Sequence, residues 1–218
     1  MERGGAGLVL DSKRKSVDFI MEPAARALIK VDPNAISLVS LLIAGVAAVL
    51  IYLSYEHHTA PLLLLAAAAV LASGFLDALD GKVARLAGRA GRKGDFLDHV
   101  IDRYADVLMV GAVAFSGWCN PYLGMLALIG VLLTSYMGTQ AQAVGAGRHY
   151  AGLLGRADRL VLMVLACILQ LALFLLGMMR IDLGPVSFTI FEVMMLWFAV
   201  VGNLTAVQRA YGTWKFLR

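Results

Sequence analysis

Charge is scarce in this chain. Only 16% of its 218 residues are Asp, Glu, Lys or Arg, while 60% are hydrophobic, a balance outside the range of soluble globular domains. That composition excludes an ordinary water-facing surface and makes lipid the expected solvent for most of the chain. Cysteine is scarcer still. Cys119 and Cys167 are the only two, far apart in apolar surroundings and in no CxxC pair, so neither a disulfide framework nor a zinc site is indicated and buried thiols are expected. No Pro/Ser-rich linker, low-complexity tract or short-period repeat divides the chain, so one membrane domain over residues 1–218 is expected. Residues 1–30 are polar and basic and lack an apolar run of signal-peptide length, so neither cleavage nor secretion is expected.

What the chain has in abundance is long apolar runs. A bilayer core about 30 Å thick takes about 20 residues of helix. Six stretches meet that requirement, at about 35–55, 61–85, 95–117, 121–145, 156–179 and 186–208. Asp32-Pro33-Asn34 supplies cap and turn chemistry before the first, with Asn34 the predicted N-cap. Within residues 17–30, Phe19, Ile20, Ala24, Ala27 and Leu28 fall near one helical face, and Asp18, Glu22, Arg26 and Lys30 largely on another. That pattern suits an amphipathic helix in the membrane interface, or equally a short helix packed on the bundle. The expected fold class is all-α integral membrane, with six transmembrane helices over about 35–208 preceded by the amphipathic helix.

The net charge of +4 does not point to nucleic acid, because the basic residues sit beside apolar spans rather than among aromatics on a soluble surface. Lys and Arg crowd the N-terminal segment, the connection between the second and third spans (Lys82, Arg85, Arg89, Arg92, Lys93), the next same-side connection (Arg148, Arg156, Arg159) and the C-terminus. The opposite connections hold only Arg180. The bias predicts a cell-membrane protein with both termini on the cytoplasmic side and an even number of spans.

Six aspartates fall in or beside the second and third spans: Asp77, Asp80, Asp95, Asp98, Asp102 and Asp106. An Asp at the centre of a membrane helix costs about 2.5–3.5 kcal/mol on insertion scales, so a cluster needs compensation. Asp77 and Asp80 are three apart and Asp98 and Asp102 four apart, so each pair shares a helix face. The two spans are joined by a short connection and must be antiparallel neighbours, so four carboxylates are expected to converge near the cytoplasmic end. Hard oxygen ligands in this number suit Mg²⁺, Mn²⁺ or Ca²⁺. Gly81 and Gly94 let a ligand approach closely, Ala84 is nearly as small, and Arg85, four residues beyond Gly81, is placed to reach a phosphate or a base edge.

The run Asp77-Ala78-Leu79-Asp80-Gly81-Lys82-Val83-Ala84-Arg85, followed by Gly94, Asp98 and Asp102, resembles the complete signature of the CDP-alcohol phosphotransferases, with every fixed position and spacing matched. The resemblance implies attack of an acceptor hydroxyl on the lipid-side phosphorus of a CDP-lipid, with CMP leaving. It implies two Mg²⁺ or Mn²⁺ ions on Asp77, Asp80, Asp98 and Asp102, with Asp102 also the general base. It also implies a cytidine-diphosphate site lined by Gly81, Ala84, Arg85 and Gly94, a site at the cytoplasmic boundary, and a homodimer.

Acceptor choice lies outside that signature. Arg148, Arg156 and Arg159 offer a pocket for an acceptor phosphate, although positive-inside topology alone also places them. The run Ser135 to Gln142 resembles archaeal relatives of the phosphatidylinositol-phosphate synthases and departs from the Arg-bearing stretch of the bacterial members, with Gln140 or Gln142 in place of that Arg. CDP-archaeol (or CDP-diacylglycerol) and inositol phosphate are therefore the expected donor and acceptor; glycerol phosphate and serine are alternative acceptors. Asp95 reads as a helix-start charge. Asp106 either extends the polar site or pairs with Arg103, His99 is more simply an interhelical polar contact, and Glu192 needs a partner that the sequence does not identify. The rival from another class is a cation-coupled transporter, which predicts carboxylates spread over several spans.

Overall fold

The computed structural model describes residues 14–147 and 154–217. Its first long helix starts with a cap. Asp32 accepts a hydrogen bond from the Asn34 amide at 3.0 Å, and Pro33 occupies the first turn of α2 (Pro33–Glu56). The cap is thus Asp32 and not Asn34, because proline lacks the N–H that a first-turn residue leaves unpaired, so the cap falls on the residue before it. Thr59 and Pro61 likewise open α3 (Ala60–Leu86), and α4 spans Arg92–Phe115. Asn120 caps α5 (Pro121–Ala143) by accepting from the Tyr122 amide at 2.9 Å, and α6 spans Arg156–Leu175. The last helical stretch is α7 (Ile190–Trp197), a π-helical segment (Phe198–Gly202) and α8 (Asn203–Phe216). Ahead of them all, α1 (Arg14–Ala27) packs Met21 and Ala25 against Ile36, Leu79 and Val83.

Among the described residues, five helices are long and apolar enough to cross a membrane: α2, α3, α5, α6 and the continuous stretch Ile190–Phe216. Six were expected. The exception is α4, which has the length but carries Arg92, Lys93, Asp95, Asp98, Asp102, Arg103 and Asp106 toward its N-terminal end. Its second half buries Met109, Val110, Val113 and Ala114 and leaves Tyr104, Leu108 and Phe115 exposed. A second departure lies at 181–188, where β1 (Ile181–Leu183) pairs antiparallel with β2 (Val186–Phe188). Gly184, at φ 64°, and Pro185 turn this hairpin, so the final helix begins at Ile190 and not near 186.

Small side chains set the packing. Ala44, Ala47, Ala66, Ala67, Ala127 and Ala166 lie in the core beside Trp118, Phe191 and Phe198, and small residues let membrane helices approach closely. One close crossing is at Gly130 and Gly202, where the two backbones are in direct contact and a Cβ on Gly202 would lie 2.9 Å from the Gly130 carbonyl carbon. Thr134 donates to the Gly202 carbonyl at 2.7 Å and Asn203 to the Ala199 carbonyl at 2.7 Å, so carbonyls in and beside the π segment find partners. Outward, Leu42, Leu71, Leu126 and Leu169 are exposed, as a lipid-facing surface requires. Both cysteines are free and buried.

Glu192 has its partners at the end of the bundle where α7 begins. Its carboxylate accepts from Arg180 Nη2 at 2.8 Å and from the amides of Thr189 at 3.0 Å and Asn120 at 3.2 Å. Trp118 is fully buried beside it and donates to Ser54 at 2.9 Å, so it is a packing residue and not a lipid-interface anchor.

Candidate active site

The site forms where α3 and α4 part around the start of α2. The short connection between α3 and α4 suggested that they pack side by side. Instead α2 packs against both, with little contact between α3 and α4 themselves. Their aspartates meet nevertheless. One carboxylate oxygen from each of Asp77, Asp98 and Asp102 lies within 4.8 Å of the others. The i, i+4 spacing of Asp98 and Asp102 brings both onto the face of α4 that Asp77 approaches from α3.

Beside this trio opens a cleft of about 610 Å³. It is lined by Asp32, Pro33, Asn34 and Ser37 from the start of α2, by Asp77, Asp80, Gly81, Ala84 and Arg85 from α3, and by Lys93, Gly94, Asp95 and Asp98 from α4, with Arg156 at its edge. Gly81, Ala84, Arg85 and Gly94 therefore share one wall system. Packing does not demand glycine at either position, since a Cβ on Gly94 would meet nothing nearer than Asn34 Oδ1 at 3.9 Å and one on Gly81 nothing nearer than Arg85 Nη1 at 3.4 Å. The space left by the missing side chains belongs to the cleft.

Asp80 stands apart from the trio. It is 4% exposed, and its Oδ2 accepts a hydrogen bond from Ser37 Oγ of α2. Arg156, the first residue of α6, reaches back to the trio, donating to Asp77 through Nη1 at 2.5 Å and Nη2 at 2.7 Å while also pairing with Asp102. Behind it, Arg103 lies 3.5 Å from Asp102 and 3.3 Å from Asp106, and Arg159 binds Asp106 through Nε at 3.3 Å and Nη2 at 2.8 Å. Charges of alternating sign thus run from the cleft into the protein, which offsets the cost of burying each.

Of the three arginines expected to form an acceptor pocket, Arg156 lines the cleft, Arg159 is buried against Asp106, and Arg148 lies outside the described residues. Asp106 pairs with Arg103, one of its two expected roles, and with Arg159 as well. His99 Nδ1 lies 2.7 Å from the Asp95 carbonyl and 3.8 Å from Asp98. The carbonyl fixes the proton on Nδ1, so that nitrogen has no lone pair to offer a cation. Sequence reasoning missed Ser37 and Arg209 at the site, and named Asn34 only as a helix cap and Arg103 only as a partner for Asp106. Arg209 donates to the Thr134 carbonyl at 2.7 Å and lies within electrostatic range of Arg159 and Arg103.

The trio suits a divalent cation. Carboxylates are the ligands hard cations prefer, and oxygens around one Mg²⁺, Mn²⁺ or Ca²⁺ at about 2.0–2.6 Å stand no more than about 5 Å apart. Three oxygens within 4.8 Å fall inside that span.

Spans with lipid-facing leucines and a polar, carboxylate-lined cleft at one end of the bundle define a multi-pass membrane enzyme. It belongs to the CDP-alcohol phosphatidyltransferase family, whose model matches residues 30–206, and is accordingly a transferase of phospholipid biosynthesis. Among its relatives is the archaetidylinositol phosphate synthase of Pyrococcus horikoshii, 34% identical over 137 residues, which are 62% of this chain and 69% of that one. The enzyme of the same name from Methanothermobacter thermautotrophicus is 30% identical over 156 residues, covering 72% and 73%. In fold, the chain is similar to the Mycobacterium tuberculosis phosphatidylinositol phosphate synthase solved with CDP-DAG bound, at a TM-score of 0.68 and 24% identity over 89% of this chain and 94% of that one.

Proposed function

We propose that this enzyme transfers the lipid phosphate group of a CDP-linked lipid, CDP-archaeol or CDP-diacylglycerol, to inositol phosphate and releases CMP. The observation that carries this reading is the trio Asp77, Asp98 and Asp102 at the side of a cleft walled by Gly81, Ala84, Arg85 and Gly94. The names of the archaeal relatives support the inositol phosphate acceptor and the archaeol-type donor.

In this reading Asp77, Asp98 and Asp102 hold divalent cations, Mg²⁺ or Mn²⁺ and two in number, and Asp80 joins them from the α2 side of the cleft. Held by these carboxylates, such ions would supply positive charge to offset that of the diphosphate and of departing CMP. Gly81, Ala84 and Gly94 admit the cytidine diphosphate, and Arg85 donates to it. The acceptor hydroxyl forms the new P–O bond as the bond to CMP breaks, and Asp102 takes the hydroxyl proton. Arg156 binds the acceptor's phosphate at the cleft edge, with Arg159 adding positive charge behind it and Arg148 a further phosphate-binding residue.

The membrane arrangement belongs to the same proposal. With α4 as a sixth span, its charges facing the site instead of lipid, the count is even, α1 lies at the interface, and both termini and the cleft face the cytoplasm, in accord with the Lys and Arg bias. Lipid tails then stay in the bilayer while the cytidine end is in water. The whole chain serves this one site and acts as a homodimer. A transporter is disfavoured because the clustered aspartates sit at one end of two helices.

The test is a matrix of CDP-archaeol and CDP-diacylglycerol against inositol phosphate, inositol, glycerol phosphate and serine, with CMP release measured in nanodiscs. Inositol phosphate with Mg²⁺ or Mn²⁺ is expected to give CMP, chelation to abolish it, and Asp102→Asn to slow it by at least about 100-fold. No release with any pair, or full activity in Asp102→Asn, overturns the mechanism, and preference for another acceptor overturns the substrate.

A further inference from the structure

Hydroxyl groups inside membrane helices commonly bond back to a carbonyl one turn earlier on their own helix. Ser40 and Ser54 do so here, donating to Ser37 O at 2.7 Å and Ile51 O at 2.6 Å. Ser37 differs. Its Oγ lies 3.1 Å from Pro33 O but also against Oδ2 of Asp80, a residue of another helix 43 positions away. A serine has one proton to donate, and an ionised carboxylate is a stronger acceptor than a peptide carbonyl, so the proton goes to Asp80. Both side chains are buried, at 5% and 4% exposure, and both line the cleft.

The seam between α2 and α3 holds this pair in register. Ser73 of α3 donates to Ser40 O of α2 at 2.9 Å, one turn of α2 from Ser37. Leu79 and Val83 on α3 pack with Ile36 beside it. Asp80 is thereby kept out of the trio formed by Asp77, Asp98 and Asp102. Oδ2 is committed to Ser37, and Asp80 lines the cleft.

We infer that Ser37 is a positioning residue for Asp80: its hydroxyl fixes the carboxylate so that one oxygen presents to the divalent cation on the α2 side of the cleft. The inference rests on the proposed role of Asp80 as a cation ligand. Hydrogen bonds that orient a ligating carboxylate typically contribute 10–100-fold to metal affinity.

The experiment is Mn²⁺ titration of the full chain in nanodiscs, followed by the electron paramagnetic resonance of free Mn²⁺, with CDP binding measured in parallel. Ser37→Ala is expected to weaken Mn²⁺ binding about 10-fold, and Ser37→Thr, which keeps the hydroxyl, to stay within about threefold of the parent. In an Asp80→Asn background, Ser37→Ala is expected to add no further loss, because Ser37 acts through that carboxylate. A general packing role would instead give additive losses. Ser37→Ala binding Mn²⁺ like the parent while Asp80→Asn binds weakly overturns the role of Ser37 alone. Unchanged binding in Asp80→Asn overturns the ligand role of Asp80, and the inference with it.

Discussion

Arg156 grips Asp77 through two nitrogens, at 2.5 and 2.7 Å, across 79 residues of sequence, and meets Asp102 with one of the same nitrogens. One guanidinium therefore ties the first turn of α6 to carboxylates on both α3 and α4. A planar fork matches a carboxylate or a phosphate equally well, so the group that holds the trio together is also suited to an acceptor phosphate.

Arg156→Lys keeps the charge but loses the paired geometry. A charge-assisted hydrogen bond contributes about 1.5–3 kcal/mol, so kcat/KM for the phosphorylated acceptor should fall about 10- to 100-fold. The KM for the CDP-lipid should change little. Steady-state kinetics with each substrate varied in turn checks this, and equal losses for both substrates would place Arg156 in the donor site instead.

Asp106 and Arg159 form a pair buried at 6% and 5% side-chain exposure. Removing one partner of such a pair costs about 3–5 kcal/mol because the other charge is left buried, although Arg103, 3.3 Å away, softens the loss of Arg159. Asp106→Ala should therefore lower the unfolding temperature more than Arg159→Met. The double variant Asp106→Leu/Arg159→Met should be more stable than Asp106→Ala alone. Thermal unfolding in detergent measures all three, and an Asp106→Ala protein as stable as the parent would refute the pairing.

Glycine at 130 has a packing reason that glycine at 45 lacks. A methyl on Gly130 would stand 2.8 Å from the Phe198 carbonyl oxygen and 3.1 Å from the Asn203 amide, whereas one on Gly45 meets nothing within 4 Å. Backbone cannot swing aside as a side chain can, so Gly130→Ala should destabilise by about 1–3 kcal/mol. Gly45→Ala should cause no loss. Paired melting curves decide it.

The local parts of this protein were legible in advance. Asp77 with Asp80 and Asp98 with Asp102 share helix faces through spacing alone, and Gly81, Ala84, Arg85 and Gly94, close together in sequence, line one cleft. Less legible was α4, where apolar length suggested a span but the first half is too charged to qualify by composition. The hairpin at 181–188 was hidden because its strands are only three residues each and continue an apolar run. Glu192 lacked a visible partner because Arg180 reaches it only after the hairpin folds back.

The order of the residues by itself determined that the chain dissolves in lipid, since 60% of it is hydrophobic, and which carboxylates share a helix face, since that follows from 3.6 residues per turn. Tertiary structure decided which charges are neighbours. It set α2 between α3 and α4, gave Asp80 to Ser37, Asp77 to Arg156 and Asp106 to Arg159, and left Asp77, Asp98 and Asp102 together. Those pairings join positions 43 to 79 residues apart, and only the packing of small side chains between helices fixes the distance and rotation that make them possible.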